Sequence, residues 1–318
     1  MLHLDDVRRA RERIAPYLPP TPLRASFAIQ SPRTFLKLEC WQPTGSFKVR
    51  GATNHLLALD AKQQARGIVA ASAGNHALGV AFAAAALGGR VQTTLVVPLS
   101  APRAKVEKLR RFPVTLIEHG ANYDEAYAES MRIAERTGAT YVHAYEHALT
   151  AAGQGTAALE ILEALPDVGA ILVPVGGGGL IAAIATVAKA LRPEIRVVAV
   201  QAEASPSLRE SLRVGHALHE YPAGETLADG IAGGVGDIAY EHRHLIDDVV
   251  EVSEEATQAA IVALVANDQV VAEASGAVGI AALQSGVWKA TDARPVVAVV
   301  TGANIDARVL ARLLSART

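Results

Sequence analysis

The chain of 318 residues is half hydrophobic, enough to bury the core of one large domain or of two smaller domains that share an interface. Its 30 basic and 32 acidic residues give a net charge of −2, which argues against nucleic acid and anionic membrane surfaces as partners. The single cysteine, Cys40, forms no internal disulfide, and no secretory leader is evident. We therefore expect a cytoplasmic protein in which Cys40 is a small buried hydrophobic residue.

The predicted elements begin with a helix at 5–15, capped by Asp5 and Asp6, whose inner face contains Val7, Ala10 and Ile14. Beyond it, short continuous β-branched runs are typical of strands buried on both faces of a sheet. These runs lie at 34–38, 67–71, 94–97, 114–117, 170–175, 195–200, 249–252 and 296–300.

Helical spacing of apolar residues fills most of the segments between these strands. The predicted helices lie at 48–59, 75–87, 102–111, 123–137, 151–164, 180–191, 254–267 and 275–284. Alternation of buried strands with helices predicts an α/β protein with mostly parallel sheets.

Lys48 lies at the start of the second predicted helix. Pro43 and Gly45 interrupt the chain before it. One helical face follows at spacings of three and four, formed by Val49, Ala52, Leu56 and Leu59. The positive end of the helix dipole repels an ammonium there, which lowers its pKa and frees the lone pair for Schiff-base formation. Taken alone, the position fits a solvated surface lysine better, so the other motifs must decide.

Four consecutive glycines, Gly176, Gly177, Gly178 and Gly179, separate the strand at 170–175 from the helix at 180–191. They break the apolar segment 168–188, which is therefore not predicted to span a membrane. Bare backbone N–H groups at a helix N-terminus form an anion site, and phosphate is its natural ligand. Ile181 stands where a dinucleotide fingerprint needs its third glycine, and no Gly-Lys-Ser/Thr follows. A tight connector is the alternative, although four glycines are entropically costly.

Ser72-Ala73-Gly74-Asn75-His76 occupies a second junction between a strand and a helix. Its N–H groups and hydroxyl suit a carboxylate, but helix capping by Ser72 or Asn75 explains it equally well. Further polar segments follow or precede apolar runs, at Asp229-Gly230, Glu273-Ala274-Ser275-Gly276 and Thr301-Gly302-Ala303-Asn304. The last ends a predicted strand, at the edge where ligands bind in open α/β folds.

A reactive lysine beside a phosphate site is the arrangement that pyridoxal phosphate chemistry requires. The motifs together resemble the fold-type II pyridoxal-phosphate enzymes, and among them the threonine/serine dehydratases and serine racemases. The resemblance covers roughly residues 21–306, in the family's order. The motifs are Pro43-Thr44-Gly45-Ser46-Phe47-Lys48-Val49-Arg50-Gly51-Ala52, Ser72-Ala73-Gly74-Asn75-His76-Ala77, Gly176-Gly177-Gly178-Gly179-Leu180 and Thr301-Gly302-Ala303-Asn304, supported by Ala152-Gly153-Gln154-Gly155-Thr156 and Thr226-Leu227-Ala228-Asp229-Gly230.

The resemblance implies a tryptophan synthase beta-like fold with two open, twisted, mostly parallel sheets and flanking helices. A large pyridoxal-phosphate-binding domain would comprise 1–65 and 146–318, and a small substrate-binding domain 66–145. Lys48 would carry the cofactor as a Schiff base. The other cofactor-binding residues would be Phe47, Asn75, Gly176, Gly177, Gly178, Gly179, Gly230, Glu273 and Thr301. The substrate-binding residues, at the carboxylate, would be Ser72, Ala73, Asn75 and His76.

The reaction implied by this resemblance is β-elimination of L-threonine or L-serine to a 2-oxo acid and ammonia. The freed amine of Lys48 would remove the Cα proton. The β-hydroxyl would leave protonated through the cofactor phosphate. Thr301, a neutral hydroxyl opposite the ring nitrogen, would make the ring a weaker electron sink, so that elimination competes well against transamination.

Two departures from the family pattern shape the expectations. Serine racemases carry a serine where Ala73 stands, and Ala73 cannot move a proton, so elimination is favoured over racemisation. Gln201 and Ser207 replace acidic residues expected at a divalent-cation site, so no metal is predicted. Relatives are usually homodimers or homotetramers, which makes a homo-oligomer the expected assembly.

Several alternatives remain open at this point. The chain could act on another β-hydroxy amino acid such as 3-hydroxyaspartate, or act as a serine racemase. A β-replacement enzyme of the cysteine-synthase type is disfavoured by the Ser-Ala-Gly-Asn-His form. A protein of another class, binding pyridoxal phosphate without catalysis, is disfavoured by the intact Lys48 and glycine run.

Overall fold

All the strands predicted from β-branched runs are present in the computed structural model, which describes residues 1–29, 33–101 and 103–316. Within these residues the strands are β1 (Leu23–Ala25), β2 (Thr34–Lys37), β3 (Ile68–Ala71), β4 (Thr93–Val97), β5 (Thr115–Glu118), β6 (Thr140–Tyr141), β7 (Ala170–Pro174), β8 (Arg196–Ala202), β9 (Asp248–Val252) and β10 (Val296–Val299). The α-helices are α1 (Leu4–Ile14), α2 (Lys48–Leu57), α3 (Ala61–Arg66), α4 (Asn75–Ala86), α5 (Arg103–Leu109), α6 (Tyr123–Thr137), α7 (Ala148–Ala164), α8 (Gly179–Leu191), α9 (Ser207–Val214), α10 (Asp237–Glu241), α11 (Glu254–Ala263), α12 (Ala274–Ser285) and α13 (Ala307–Ser315).

The strands form two sheets. The larger has six strands in the order β1-β2-β10-β7-β8-β9, and all its pairs are parallel except β1 with β2. The smaller has four parallel strands in the order β5-β4-β3-β6. The prediction of two mostly parallel sheets with flanking helices is therefore confirmed.

Both faces of each sheet are covered. In β7, Ile171 and Leu172 point into different apolar clusters, and every residue of the strand is buried. Ala70 and Val69 of β3 are likewise divided between two clusters. This double burial explains why the strands are continuously apolar.

Small residues bring α2, α4 and α7 close together. A Cβ atom added at Gly153 of α7 would lie 2.6 Å from the carbonyl oxygen of Arg50 in α2. A Cβ atom added at Gly79 of α4 would lie 3.1 Å from the carbonyl of Lys48. The first turn of α2, which carries Lys48, is thus held between two helices.

The N-terminal end of α1 differs from the prediction. The N-cap of α1 is His3, and Asp6, the third residue of the helix, accepts a hydrogen bond from the His3 backbone N–H at 2.9 Å. The prediction that Asp5 and Asp6 are the capping residues was therefore wrong, because both lie inside the helix. The predicted inner face of α1 is buried as expected. Pro102, the first residue of one predicted helix, lies outside the described residues.

The α-helix predicted at 254–267 ends at Ala263. The chain then continues as a π-helical turn over Leu264–Asp268. Buried Asp268 then accepts hydrogen bonds from the Ser26 hydroxyl at 2.9 Å and the Phe27 backbone at 2.6 Å. The added residue of a π-turn changes the direction of the side chains that follow. The change in helix type therefore accompanies a contact with a distant loop.

Candidate active site

A cavity of about 1020 Å³ lies at the carboxyl ends of β3, β6, β7 and β10. The site residues predicted from the sequence all line this one cavity, although they come from distant parts of the chain. They are Phe47, Lys48, Ser72, Ala73, Asn75, His76, Gly176, Gly177, Gly178, Gly179, Gly230, Glu273 and Thr301.

Lys48 is the first residue of α2, as predicted. Its Nζ donates a hydrogen bond to the carbonyl oxygen of Ala144 at 3.0 Å and lies 5.3 Å from the ring centroid of Phe47. The residue is partly accessible from the cavity, but its amine is far from bulk solvent. Burial lowers the pKa of Lys48 to about 8, against an opposing effect of the charge on Glu273. Burial thus favours the neutral amine at a place where the sequence pattern indicated only the helix dipole.

The glycine run has no room for side chains. A Cβ atom at Gly177 would lie 2.4 Å from the ring of Tyr145, and one at Gly178 would lie 2.3 Å from Cβ of Ala239. Gly178 also has a φ of +84° and is the N-cap of α8, with no side chain capping that helix. The N-terminal N–H groups of this thirteen-residue helix are therefore left to bind an anion.

The Ser72 motif forms a second helix N-terminus at the cavity. The N-cap of α4 is Gly74, and no side chain caps the helix, so the alternative of capping by Ser72 or Asn75 was wrong. Ser72 Oγ instead accepts a hydrogen bond from the Gly74 backbone at 3.1 Å. Uncapped N–H groups at this position suit a carboxylate.

His76 contributes to this loop without a charge. Burial lowers the pKa of His76 to about 3, assisted by the charge of Lys48, so the ring is neutral at physiological pH. Its Nε2 lies 2.8 Å from the carbonyl oxygen of Val142, which fixes the proton on that nitrogen, and its Nδ1 has no hydrogen-bond partner among the described residues. The ring therefore has no free N–H to offer a carboxylate, and the donor at this residue is its backbone.

Asn75 joins the Ser72 loop to the larger sheet. Its Nδ2 donates to Glu273 Oε1 at 2.7 Å, and its Oδ1 accepts from Asn304 Nδ2 at 2.7 Å. Burial raises the pKa of Glu273 to about 7, although the bond from Asn75 acts against it. Near this group, the hydroxyl of Thr301 donates to the carbonyl oxygen of Ser275 at 3.4 Å.

Residues 14–302 match the family described as "Pyridoxal-phosphate dependent enzyme". The chain belongs to this family. An L-threonine ammonia-lyase of Thermotoga maritima is 41% identical over 99% of this chain and 79% of its own length. A serine racemase of Oryza sativa subsp. indica is 36% identical over 96% of this chain and 92% of its own. The solved structure of maize serine racemase, 35% identical, superposes with a TM-score of 0.92 over 99% of this chain and 98% of that one. The chain is therefore similar to proteins of both names.

As a pyridoxal-phosphate dependent enzyme, the chain has a cavity whose residues fit this cofactor. The buried amine of Lys48 suits an aldehyde, and the glycine loop admits a phosphate where any Cβ atom would clash. Phe47 supplies an aromatic face beside the amine. The donor set is thus the one that a phosphorylated aldehyde requires.

Several cavity residues were missed by the sequence interpretation. Tyr145 follows β6 and packs on Gly177, while Lys105 of α5 forms an ion pair with Asp229 at 3.5 Å. Gln154, noted only within a supporting motif, lines the cavity and accepts a hydrogen bond from the Gly51 backbone at 3.2 Å. No local sequence signal marks these positions, because each depends on contact with a remote element.

Gln201 and Ser207 are joined to each other in the structure. The Nε2 of Gln201 lies 3.4 Å from Ser207 Oγ, and its Oε1 accepts hydrogen bonds from the backbones of Leu208 and Arg209 in the first turn of α9. Across the described ranges, no group of three or more His, Cys, Asp and Glu residues could hold a metal ion. None of the helices in those ranges has both the length and the apolar character needed to cross a bilayer.

Proposed function

We propose that this chain catalyses β-elimination of L-threonine and L-serine, giving 2-oxobutanoate or pyruvate together with ammonia. The observation that carries the proposal is the position of Lys48, a buried amine with a pKa near 8 that shares one cavity with the glycine loop and the Ser72 loop. The name of the 41% identical L-threonine ammonia-lyase supports the choice of reaction.

Pyridoxal phosphate, when bound, supplies an electron sink that stabilises negative charge at the substrate Cα. Lys48 would hold its aldehyde, and the N-terminus of α8 with Gly176, Gly177, Gly178 and Gly179 would hold its phosphate. Phe47, Asn75, Gly230, Glu273 and Thr301 would line its ring.

The chain's own residues then divide the remaining tasks. The backbone N–H groups of the Ser72 loop, including those of Asn75 and His76, bind the substrate carboxylate. Lys48, neutral in a substantial fraction at pH 8, takes the Cα proton as general base. Asn75, hydrogen-bonded to Glu273 and Asn304, keeps the two walls of the cavity in a fixed relative position.

The charges of the cavity wall favour neutral β-hydroxy amino acids over 3-hydroxyaspartate. Asp124, Glu220 and Asp229 line the cavity, and Lys105 is already paired with Asp229. A second substrate carboxylate would be repelled by the acidic side chains and would compete for a lysine that is already paired. Ala73 offers no proton at the position where serine racemases carry a serine, so racemisation is a minor activity in this proposal.

The test is product formation by the holoenzyme. Threonine and serine are each expected to give 2-oxo acid and ammonia, whereas Lys48→Ala should lose about 10²- to 10⁴-fold in rate. Lys62→Ala, which removes an exposed lysine of α3, is the matched control and should retain full rate. Borohydride should fix pyridoxal phosphate covalently to the wild type and to the control but not to Lys48→Ala.

Other outcomes would overturn the proposal in different ways. If Lys48→Ala kept full turnover, the assigned base would be wrong. A protein that binds the cofactor and releases no oxo acid would be a carrier. Preferred turnover of 3-hydroxyaspartate, or D-serine as the main product from L-serine, would replace the proposed reaction by one of its alternatives.

The proposal extends to the organisation of the protein. We propose a small domain at 66–145, since β3 to β6 form their own sheet, and a large domain at 1–65 and 146–318. A homodimer or homotetramer acting in the cytoplasm is part of the same proposal, and buried Cys40, whose pKa burial raises to about 12, is consistent with a reducing compartment.

A further inference from the structure

Asn304, the last residue of the motif that follows β10, connects three distant parts of the chain. Its side chain is half-buried. The Nδ2 atom donates a hydrogen bond to the carbonyl oxygen of Thr44 at 2.9 Å and a second to Asn75 Oδ1 at 2.7 Å. Its Oδ1 accepts from Nζ of Lys108 at 3.4 Å. One carboxamide therefore contacts the chain before Lys48, the first residue of α4, and α5.

The partners of Asn304 leave its carboxamide a single orientation. The backbone carbonyl of Thr44 can only accept a hydrogen bond, and the ammonium of Lys108 can only donate one. The NH2 group of Asn304 must therefore point to Thr44 and its oxygen to Lys108. The same NH2 group faces Asn75, so Asn75 must present its own oxygen. Reversal of either carboxamide alone would place two oxygens or two NH2 groups against each other.

This orientation passes from Asn304 through Asn75 to the cavity. Because its oxygen is bound to Asn304, Asn75 directs its Nδ2 at Glu273 and donates to Oε1 at 2.7 Å. Both Asn75 and Glu273 line the cavity, as does Lys48. Among the described residues, Asn304 itself is not part of the cavity lining. It therefore sets, from behind the wall, which group Asn75 presents beside Glu273.

The backbone around Asn304 is held without its side chain. This segment pairs with the one before Lys48, where Ser46 and Gly302 form an antiparallel bridge. Backbone hydrogen bonds of 3.0 and 2.8 Å lie on either side of the bridge. Loss of the carboxamide should therefore leave the pairing intact and act on the side chain of Asn75.

We infer that Asn304 is a positioning residue that fixes the Asn75 carboxamide for cofactor binding, an inference that rests on the contact of Asn75 with the cofactor in the proposed function. Asn304 acts through Asn75 and touches neither cofactor nor substrate. An aspartate at this position would keep the shape and the acceptor for Lys108. Its carboxylate would, however, attract the NH2 group of Asn75 and turn that carboxamide over, with its oxygen toward Glu273.

The test is a double-mutant cycle in the binding of pyridoxal phosphate to cofactor-free protein, followed by intrinsic fluorescence. Asn304→Asp is expected to weaken binding about 10-fold, and Asn304→Ala, which removes the donor without attracting Asn75, about 5-fold. In an Asn75→Ala background, neither substitution should weaken binding further. The absorbance spectrum of the bound cofactor responds to hydrogen bonds at its ring, so Asn304→Asp should change it in the same direction as Asn75→Ala does.

Asn267→Asp is the matched control. Asn267 is exposed, and its Nδ2 donates to the carbonyl oxygen of Ala263 at 3.0 Å, so the control makes the same chemical change and also removes an amide hydrogen bond. It should leave the affinity for pyridoxal phosphate and the spectrum of the bound cofactor as in the wild type.

The outcomes separate this inference from the proposed function. Equal weakening by Asn304→Asp in the wild-type and Asn75→Ala backgrounds would mean that Asn304 acts independently of Asn75, and would overturn the inference. Wild-type affinity of Asn304→Asp would overturn it as well. If Asn304→Asp fails to fold, the same comparison with Asn304→Ala decides. Wild-type protein that binds the cofactor but releases no oxo acid from threonine or serine would overturn the proposed function, whereas the cycle would still decide the role of Asn304.

Discussion

Among single residues, Lys48 and Glu273 line the cavity with pKa values that burial moves toward neutral pH. Burial lowers the pKa of the amine to about 8 and raises that of the carboxyl to about 7, so both titrate near neutral pH. Each group is held where its charged form loses hydration. Perturbed groups of this kind concentrate at functional sites.

The depressed pKa of Lys48 predicts the pH dependence of cofactor capture. Only the neutral amine attacks an aldehyde, so the rate at which cofactor-free protein binds pyridoxal phosphate should rise with pH to a plateau, with a midpoint near 8. Stopped-flow absorbance measures this rate. Because the Glu273 charge raises the pKa of Lys48, Glu273→Gln should move the midpoint below that of wild type. A wild-type midpoint near the ordinary lysine value of about 10.4 would contradict the assignment.

Among the secondary-structure elements, the junction of β7 and α8 forms the proposed anion site. The loop lies between Tyr145, Ile231 and Ala239, and Cβ atoms there would lie 2.3 to 2.9 Å from those residues. Steric exclusion of side chains thus leaves only backbone to face a ligand. The glycines are required by close approach as well as by conformation.

Comparison of Gly178→Ala with Gly215→Ala separates the requirement for close approach from the requirement for a positive φ. The first substitution forces alanine to a φ of +84° and a contact of 2.3 Å with Ala239, so we expect lower stability and much weaker binding of pyridoxal phosphate. Gly215→Ala is the control, because Gly215 has a φ of +86° but a Cβ atom added there would meet no other part of the described structure within 4 Å. It should cost about 1–2 kcal/mol of unfolding free energy in urea and leave cofactor affinity unchanged. Equal effects of the two variants on affinity would refute a specific role for the loop.

Across the whole molecule, a buried ionic cluster fixes the start of α2 against β2 and α7. Arg50 donates to Glu39 at 2.7 and 2.8 Å and to Glu160 at 2.6 and 2.8 Å, with an exposure of 1%. Lys37 donates to Glu160 and to the Thr21 carbonyl. Burial alone would raise the pKa of Glu39, but the Arg50 charge holds it below its ordinary value. The two cations and two anions balance one another.

Breaking this cluster is expected to be costly. Arg50→Leu leaves two largely buried carboxylates facing one lysine, so the unfolding free energy in urea should fall by about 3–5 kcal/mol. Arg33→Ala removes one partner of the exposed Arg33–Asp167 pair and should change it by less than about 1 kcal/mol. If the two variants were equally stable, the cluster would not fix α2.

The sequence by itself determined the features that depend on local pattern. Buried strands and amphipathic helices leave their periodicity in the chain, and a glycine run or a lysine at a helix start is visible without any fold. Two short elements were missed because remote contacts hold them: β6 needs β3, and the first turn of α9 is capped by Gln201.

Only the tertiary structure decided which residues meet. β10, near the end of the chain, lies between β2 and β7, and this placement brings Thr301 to the same cavity as Lys48. The neutral state of His76 and the contact of Tyr145 with Gly177 both follow from such packing. Burial and distance between residues far apart in the chain set these properties, and local periodicity carries no record of either.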